Sequence, residues 1–278
     1  MVVGNDANSI FKNHFEMGAR LEFLATLLLF TGVSVAVIAA LAAAIRVLSP
    51  AARMRIAVGV IALTAAAWLL LKLSDTPGIP EDIGLPGLCP TEGSVTGVCA
   101  AATYRHMLDL WEWWRGLLII ATACVVFGTI CCLADADTSS SPDAEPPDTT
   151  AWVGVIKRQA LRLNLFLYLA ALLMVGALLV QFAFLRWPRF AVTDVAGFDA
   201  HVGAIIVYYG VGYSIFLASF YIPVALCLAR RAEARQDEEL RDVILKTTAI
   251  GPAGAVGAAA SILAPTVAGL LTAWMDLA

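Results

Sequence analysis

Long apolar runs without a charged residue alternate with short polar segments along the whole chain. Six such runs can be marked, at residues 23–45, 56–71, 116–134, 163–185, 204–229 and 249–274. A helix of about 20 apolar residues crosses the hydrocarbon core of a bilayer, because each residue advances it by about 1.5 Å. The pattern therefore predicts an all-α, polytopic bundle of six transmembrane helices.

The last run leaves a second architecture open. It is rich in Gly and Ala and contains Pro252 and Pro265. Pro252 falls at the start of the run, where a missing N–H costs little, but Pro265 falls in its middle and should kink or divide a helix. A divided helix can re-enter a membrane where protein covers it. The alternative is therefore five spans followed by a re-entrant or peripheral C-terminal segment.

The polar segments divide the chain into two halves of three spans. Residues 135–151 are acidic and rich in Pro and Ser, which is typical of a disordered linker. Residues 1–134 form the first half, with an N-terminal interfacial helix at residues 8–19 and an outer loop at 74–115. Residues 152–278 form the second half.

Composition supports a lipid environment and argues against nucleic acid. Hydrophobic residues make up 60% of the chain and charged residues 14%, whereas soluble domains carry about 25% charged residues. So little polar surface predicts the lipid bilayer as the main partner. The formal net charge of −4 offers no basic patch, so no nucleic-acid partner is expected.

The distribution of Lys and Arg predicts the orientation. Cytoplasmic segments of membrane proteins carry more of these residues than the opposite side. Eleven would lie on one side: Arg46, Arg53, Arg55, Lys157, Arg158, Arg162, Arg230, Arg231, Arg235, Arg241 and Lys246. Seven would lie on the other: Lys12, Arg20, Lys72, Arg105, Arg115, Arg186 and Arg189. This count places both termini outside, and the short loops favour a bacterial inner membrane.

Two of the six cysteines are disulfide candidates. Cys89 and Cys99 share the predicted outer loop, where an oxidising environment preserves a disulfide. The competing interpretation is two unlinked thiols, because sequence alone does not fix pairing. The other four lie in or beside the spans and are interpreted as small packing residues: Cys124, Cys131, Cys132 and Cys227.

Little in the sequence indicates catalysis. The six span cores contain no Asp, Glu, Lys, Arg or His, the groups that mark proton relays and catalytic sites in membranes. His14, His106 and His201 lie outside the cores, without a second ligand at metal-binding spacing. We expect a protein that is not an enzyme and has neither a cofactor nor a metal site.

The segment before span three allows two interpretations. Asp109 and Glu112 are three residues apart on a helix, so they could act as acid and base or bind a cation. The favoured interpretation is an aromatic belt at the lipid headgroups, with the charges in water above it. Its members would be Trp111, Trp113, Trp114, Trp187 and Trp274.

Two sets of residues in the last two spans carry the functional hypotheses. A cavity between these spans would be lined by Tyr209, Tyr213, Ser214, Pro223 and Pro265. A small-residue face for close helix packing would consist of Ala253, Gly254, Gly257, Ala258 and Ser261. The tyrosines could instead pack on neighbouring helices, and the small residues could serve packing within the bundle or between protomers.

These sets give two hypotheses about function. The first is a non-enzymatic membrane subunit or effector that acts through helix packing, oligomerisation or pore formation, as a homo-oligomer or with another membrane protein. The alternative is a transporter or channel for a small uncharged or weakly polar solute, with its site between spans five and six.

Overall fold

Six long helices make up the fold in a computed structural model, which describes residues 4–73, 101–134, 149–187, 189, 195–233 and 252–277. They are α1 (Gly4–Ile45), α2 (Pro50–Leu73), α3 (Ala101–Ala134), α4 (Thr149–Arg186), α5 (Val195–Glu233) and α6 (Pro252–Leu277). Within these ranges there is no strand, and each helix is long and apolar enough to cross a membrane. The predicted six-span architecture is confirmed.

Several helices extend beyond the predicted runs, α1 and α3 by the most, and α4 begins at Thr149, inside the predicted linker. The 42 residues of α1 run without a break through the segment predicted to be a separate interfacial helix. Gly18 is the one helix-weakening residue where the two were expected to separate, and a single glycine does not end a helix. Helix α3 begins at Ala101, inside the segment assigned to the outer loop. The rest of that loop, with Cys89 and Cys99, and residues 135–148 of the predicted linker lie outside the described residues.

Helix α4 is the centre of the bundle. It packs against α1, α3, α5 and α6, and 61% of its membrane-spanning window is buried. Its buried side chains alternate between large and small, with Phe166, Leu167 and Met174 beside Ala170 and Ala177. Because small residues let neighbouring backbones approach, this pattern lets one helix contact four others.

Helix α2 lies at the edge of the bundle. Only 6% of its membrane-spanning window is buried, and its main neighbour is α3. Gly59 lies against the ring of Phe127, and the indole of Trp68 lies against Gly116. The turn from α1 is held by Arg53, whose guanidinium donates to the carbonyl oxygens of Leu48 and Arg46 at 2.7 and 2.6 Å. The remaining apolar surface of α2 faces away from the other helices.

The tryptophans of α3 and α4 correct the aromatic-belt prediction. Trp111, Trp114 and Trp187 are buried among α1, α3 and α4, and Trp111 stacks on Phe184 with ring centroids 4.3 Å apart. They form part of the protein core because an indole ring buries a large apolar area against other rings. Trp113 and Trp274 are 53% and 66% exposed. Of the five tryptophans, only these two can face lipid as the aromatic-belt prediction requires.

Helix α6 is continuous through Pro265. It runs as one helix of 26 residues, and its membrane-spanning part is Ala255–Trp274. The alternative of five spans with a segment divided at Pro265 is therefore wrong, and the favoured sixth span is present. Contacts with α5 help to keep α6 helical at Pro265.

Candidate functional site

Polar side chains of α4, α5 and α6 join these three helices through hydrogen bonds. Helices α5 and α6 make the most extensive contact in the bundle, and α4 packs against both. The residues that form side-chain hydrogen bonds between these helices are Asn164, Gln181, Ser214, Tyr213, Tyr221 and Thr266. They define the candidate site.

The contact between α5 and α6 is made largely by backbone. A Cβ atom added to Gly210 would lie 2.7 Å from the carbonyl oxygen of Pro265. One added to Gly269 would lie 3.0 Å from the carbonyl oxygen of Ile206, and one added to Gly203 would lie 3.3 Å from the Cβ of Ala273. At Gly210 the backbones approach so closely that only glycine fits, whereas a Cβ at Gly269 or Gly203 would require its neighbour to move by a few tenths of an ångström. In this conformation no solute fits between α5 and α6 at these three positions.

Two hydroxyl groups tie α5 to α6 beside the proline, and we call this pair the Ser214–Thr266 clasp. The Oγ of Ser214 lies 2.7 Å from Oγ1 of Thr266 and accepts the backbone N–H of Thr266 at 3.2 Å. Oγ1 of Thr266 also lies 3.3 Å from the carbonyl oxygen of Gly210. A proline weakens the helical hydrogen bonds of its own turn. Ser214 offers a replacement acceptor there, which helps α6 remain continuous in the membrane.

Two tyrosine–amide hydrogen bonds tie α5 to α4. Nε2 of Gln181 donates to the Tyr213 hydroxyl at 3.0 Å, and the Tyr221 hydroxyl donates to Oδ1 of Asn164 at 3.2 Å. Asn164 and Gln181 are separated by about 25 Å along the helix. The side chains of α4 between them are apolar apart from Tyr168, which is about half exposed. The two polar bonds are therefore separated by an apolar core.

The carboxamide of Gln181 is only partly satisfied. The residue is 5% exposed, and among the described residues no donor reaches its Oε1 atom. The ring of Tyr209 lies beside that of Tyr213, with centroids 6.1 Å apart. A buried carbonyl oxygen without a donor costs free energy in an apolar surrounding, so this atom stands out within the site.

The predicted cavity residues fall on different surfaces. Tyr209 and Tyr213 lie between α5 and α4, whereas Ser214 and Pro265 are buried in the close contact between α5 and α6. Pro223 is exposed on α5. The structure thus brings Tyr209 and Tyr213 together with Gln181, and Ser214 together with Pro265.

The predicted small-residue face contacts α4 at Gly257. A Cβ on Gly257 would lie 3.3 Å from the Tyr168 hydroxyl, and Ala258 is buried in the main core. The hydroxyl of Ser261 donates to the carbonyl oxygen of Gly257 within the helix, at 2.9 Å. Ala253 and Gly254 lie in the first turn of α6, and their surroundings are outside the described part.

Among the described residues, one ion pair lies within α3 and another joins the end of α4 to the start of α5. Glu112 pairs with Arg115 at 2.8 Å, while Asp109 and His106 are exposed. Arg189 pairs with Asp199 at 2.7 Å, and the Asp199 side chain is only 6% exposed. In the described ranges no three His, Cys, Asp or Glu side chains are grouped as metal ligands.

Sequence reasoning missed the residues that complete these contacts. Gln181 and Asn164 were visible as the strongly polar residues of span four, and Thr266 directly follows a mid-span proline. Each could have been proposed as a hydrogen-bonding residue on that basis. The roles of Gly203 and Gly269 had no local signal, since small residues are abundant on every side of these helices.

Comparisons with known proteins do not assign this chain to a family. No family model matches the chain, and searches of the curated proteins and of the solved structures found no significant match. The functional argument therefore rests on the chain's own geometry.

Proposed function

We propose that this integral membrane protein is a non-enzymatic membrane subunit, which acts through the packing of its helices and through association with further membrane protein. The observation that carries the proposal is the closed contact between α5 and α6. Gly210 and Gly269 bring the two backbones together, and the Ser214–Thr266 clasp pairs the polar groups there.

The apolar centre of the bundle supports the same proposal. The tyrosine–amide bonds lie about 25 Å apart along α4, with Leu173, Met174 and Ala177 buried between them. A water-filled route needs polar groups along its length, because a bare apolar passage excludes water and ions. A packed, apolar centre suits a structural subunit better than a channel.

The proposal also includes association of this protein with a second copy of itself or with another membrane protein. Helix α2 presents apolar residues around most of its circumference, among them Ile61, Leu70 and Leu73, and packs mainly on α3. A second copy of the chain or another membrane protein would share this surface with lipid. The bias of Lys and Arg supports an orientation with both termini outside, and the short loops support a bacterial inner membrane.

The alternative is a facilitator for a small uncharged or weakly polar solute. The free Oε1 atom of Gln181 and the half-buried rings of Tyr209 and Tyr213 favour it. A route of this kind would follow α4 and α5, because the contact between α5 and α6 is closed at Gly210.

Two measurements on the full chain separate these functions. The first is the permeability of proteoliposomes to glycerol and urea, which should equal that of protein-free liposomes. The second is the mass of the assembly extracted from native membranes with its surrounding lipid. The expected mass exceeds that of one 29.4 kDa chain. Solute flux through the protein together with a single-chain mass would overturn the proposal and support the facilitator.

A further inference from the structure

Helix α4 is the centre of the bundle, yet one strip of its first half is open to the bilayer. Four residues that are between 48% and 56% exposed form this strip: Leu161, Leu165, Tyr168 and Leu172. They follow one another at spacings of three or four residues, so they share one face of the helix. The strip ends after Leu172, because Gly176 on the same face is buried against Phe30 of α1.

The strip is the floor of a groove between α1 and α6. On one side, Leu172 lies one turn before Gly176, which meets α1. On the other side, a Cβ on Gly257 of α6 would lie 3.3 Å from the Tyr168 hydroxyl. Both α1 and α6 pack against α4, but within the described ranges they scarcely touch each other. The groove can therefore be entered from the membrane.

One polar group lies in the groove. Among the described residues, none of the hydrogen bonds between α4, α5 and α6 uses the Tyr168 hydroxyl. Because side chains on a helix lean toward its N-terminus, this hydroxyl is directed toward the start of α4. An unpaired hydroxyl costs free energy in an apolar surrounding, so its position favours an occupant with an acceptor oxygen.

Cations lie at the end of the groove where α4 begins. Lys157 and Arg158 are exposed, and they lie one turn before Leu161 on the same side of the helix. Nε of Arg158 donates to the carbonyl oxygen of Gly154 at 3.1 Å, which leaves its terminal nitrogens for a ligand. The acidic side chains that the structure describes all belong to the opposite end of the bundle: Glu22, Asp109, Glu112 and Asp199. The mouth of the groove therefore attracts an anion.

The length of the groove matches one leaflet of a bilayer. From Lys157 to Leu172 it extends about 22 Å along α4. Half of a bilayer, with its headgroups, is about 20–22 Å thick. The chemistry along the groove also follows that of a phospholipid, with positive charge at the mouth, a hydroxyl donor further in and leucines around it.

We propose that the groove between α1 and α6 binds a phospholipid with a net negative headgroup. The phosphate contacts Lys157 and Arg158, an ester carbonyl oxygen of the lipid accepts the Tyr168 hydroxyl, and one acyl chain lies along Leu165 and Leu172. Anionic lipid gives the cytoplasmic leaflet its negative surface potential, which agrees with an orientation that places the start of α4 inside. The site does not depend on the subunit proposal.

Two phospholipids that differ only in the headgroup test the site. The full chain is placed in nanodiscs of equal amounts of palmitoyl-oleoyl phosphatidylglycerol, which is anionic, and palmitoyl-oleoyl phosphatidylcholine, which has no net charge. Native mass spectrometry then identifies the lipid that each released chain retains. We expect phosphatidylglycerol to be preferred by at least about fivefold, the effect of one Lys or Arg on an anionic headgroup.

Matched variants locate the headgroup. Lys157→Gln should lower the preference for phosphatidylglycerol about fivefold. Arg55→Gln removes another exposed cation from the same end of the bundle, but on α2, which packs mainly on α3. It should leave the preference unchanged.

A second pair of variants locates the lipid in the groove. Tyr168→Phe removes one oxygen atom and should lower the retention of both lipids about threefold to tenfold, the range for one net hydrogen bond. Tyr208→Phe makes the same change at an exposed position of α5 outside the groove and should have no effect. All four variants alter exposed side chains, so each should fold.

Three results would overturn the proposal. The first is equal retention of the two lipids by the wild-type chain, or a preference that Arg55→Gln lowers as much as Lys157→Gln does. The second is unchanged retention by Tyr168→Phe, which would place the lipid elsewhere on the surface. The third is an assembly of two chains without retained lipid, which would assign the groove to a second copy.

Discussion

Replacing Gly210 with alanine tests the contact between α5 and α6 most sharply. The added Cβ would lie 2.7 Å from the carbonyl oxygen of Pro265, and the next nearest atoms are also backbone atoms of α6. No side-chain rotation can relieve this overlap, so one helix must shift. Overpacking of this kind costs about 1–3 kcal/mol of folding free energy.

Gly212→Ala is the matched control. Gly212 lies two residues further along the same helix, and a Cβ there would meet no atom within 4 Å. Both substitutions gain the same intrinsic helix propensity, about 1 kcal/mol, so the difference between the variants isolates the packing cost. With a difference of about 2 kcal/mol, the Gly210→Ala variant should melt roughly 4–8 °C below the control.

A thiol-reactive dye can follow the melting. Thiols that are exposed in the folded chain, such as Cys227, are blocked beforehand. Cys124 is buried in α3 at 4% exposure and becomes reactive when the bundle opens. The assay is run on the purified full chain in nanodiscs, with the temperature raised stepwise. If Gly210→Ala melts at or above the temperature of Gly212→Ala, the close backbone contact is refuted.

Three further predictions concern single contacts. Ser214→Ala and Thr266→Val should show a coupling of about 0.6–1.7 kcal/mol in a double-mutant cycle of unfolding, and additive effects would contradict the clasp. Arg189→Met should lower the melting temperature more than Asp199→Asn does. Loss of Arg189 leaves the buried carboxylate of Asp199 unpaired, whereas Arg189 is 38% exposed and can be solvated when Asp199 is neutral. The reverse order of melting temperatures would contradict this account. Gly59→Ala should lower the melting temperature less than Gly210→Ala, since the Cβ meets the movable ring edge of Phe127 rather than backbone, and an equal loss would show that α2 is held more tightly than described.

The spans were predictable because the hydrocarbon core excludes charge. Each of the six charge-free runs corresponds to a helix able to cross a membrane, including the run that contains Pro265, which the structure describes from Pro252 onward. The helix ends were less predictable. Residues 101–115 carry several charges, yet they form the first part of α3. The thickness of the bilayer limits the length of the membrane-spanning part of a helix, but the helix can continue outside the membrane.

The side-chain roles were only partly predictable, because a helix face is defined by its neighbour. Sequence identified Tyr213 and Ser214 as polar residues of one span, but they face α4 and α6 respectively. Likewise, Trp111 and Trp113 are two residues apart, and only Trp113 is exposed. The local sequence does not contain the information that distinguishes a lipid-facing side from a buried one when both are apolar.

The position of α6 against α5 is the central claim, and a disulfide between Gly203→Cys and Ala273→Cys tests it most directly. A Cβ on Gly203 would lie 3.3 Å from the Cβ of Ala273, close to the separation of about 3.8 Å in disulfides. The pair is introduced into a chain without its six native cysteines, oxidised in the membrane and cleaved between the two helices. We predict that the fragments remain linked until reduction, and that Gly212→Cys with Ala273→Cys does not link. Failure of the first pair, or equal linking of the second, would contradict the closed contact.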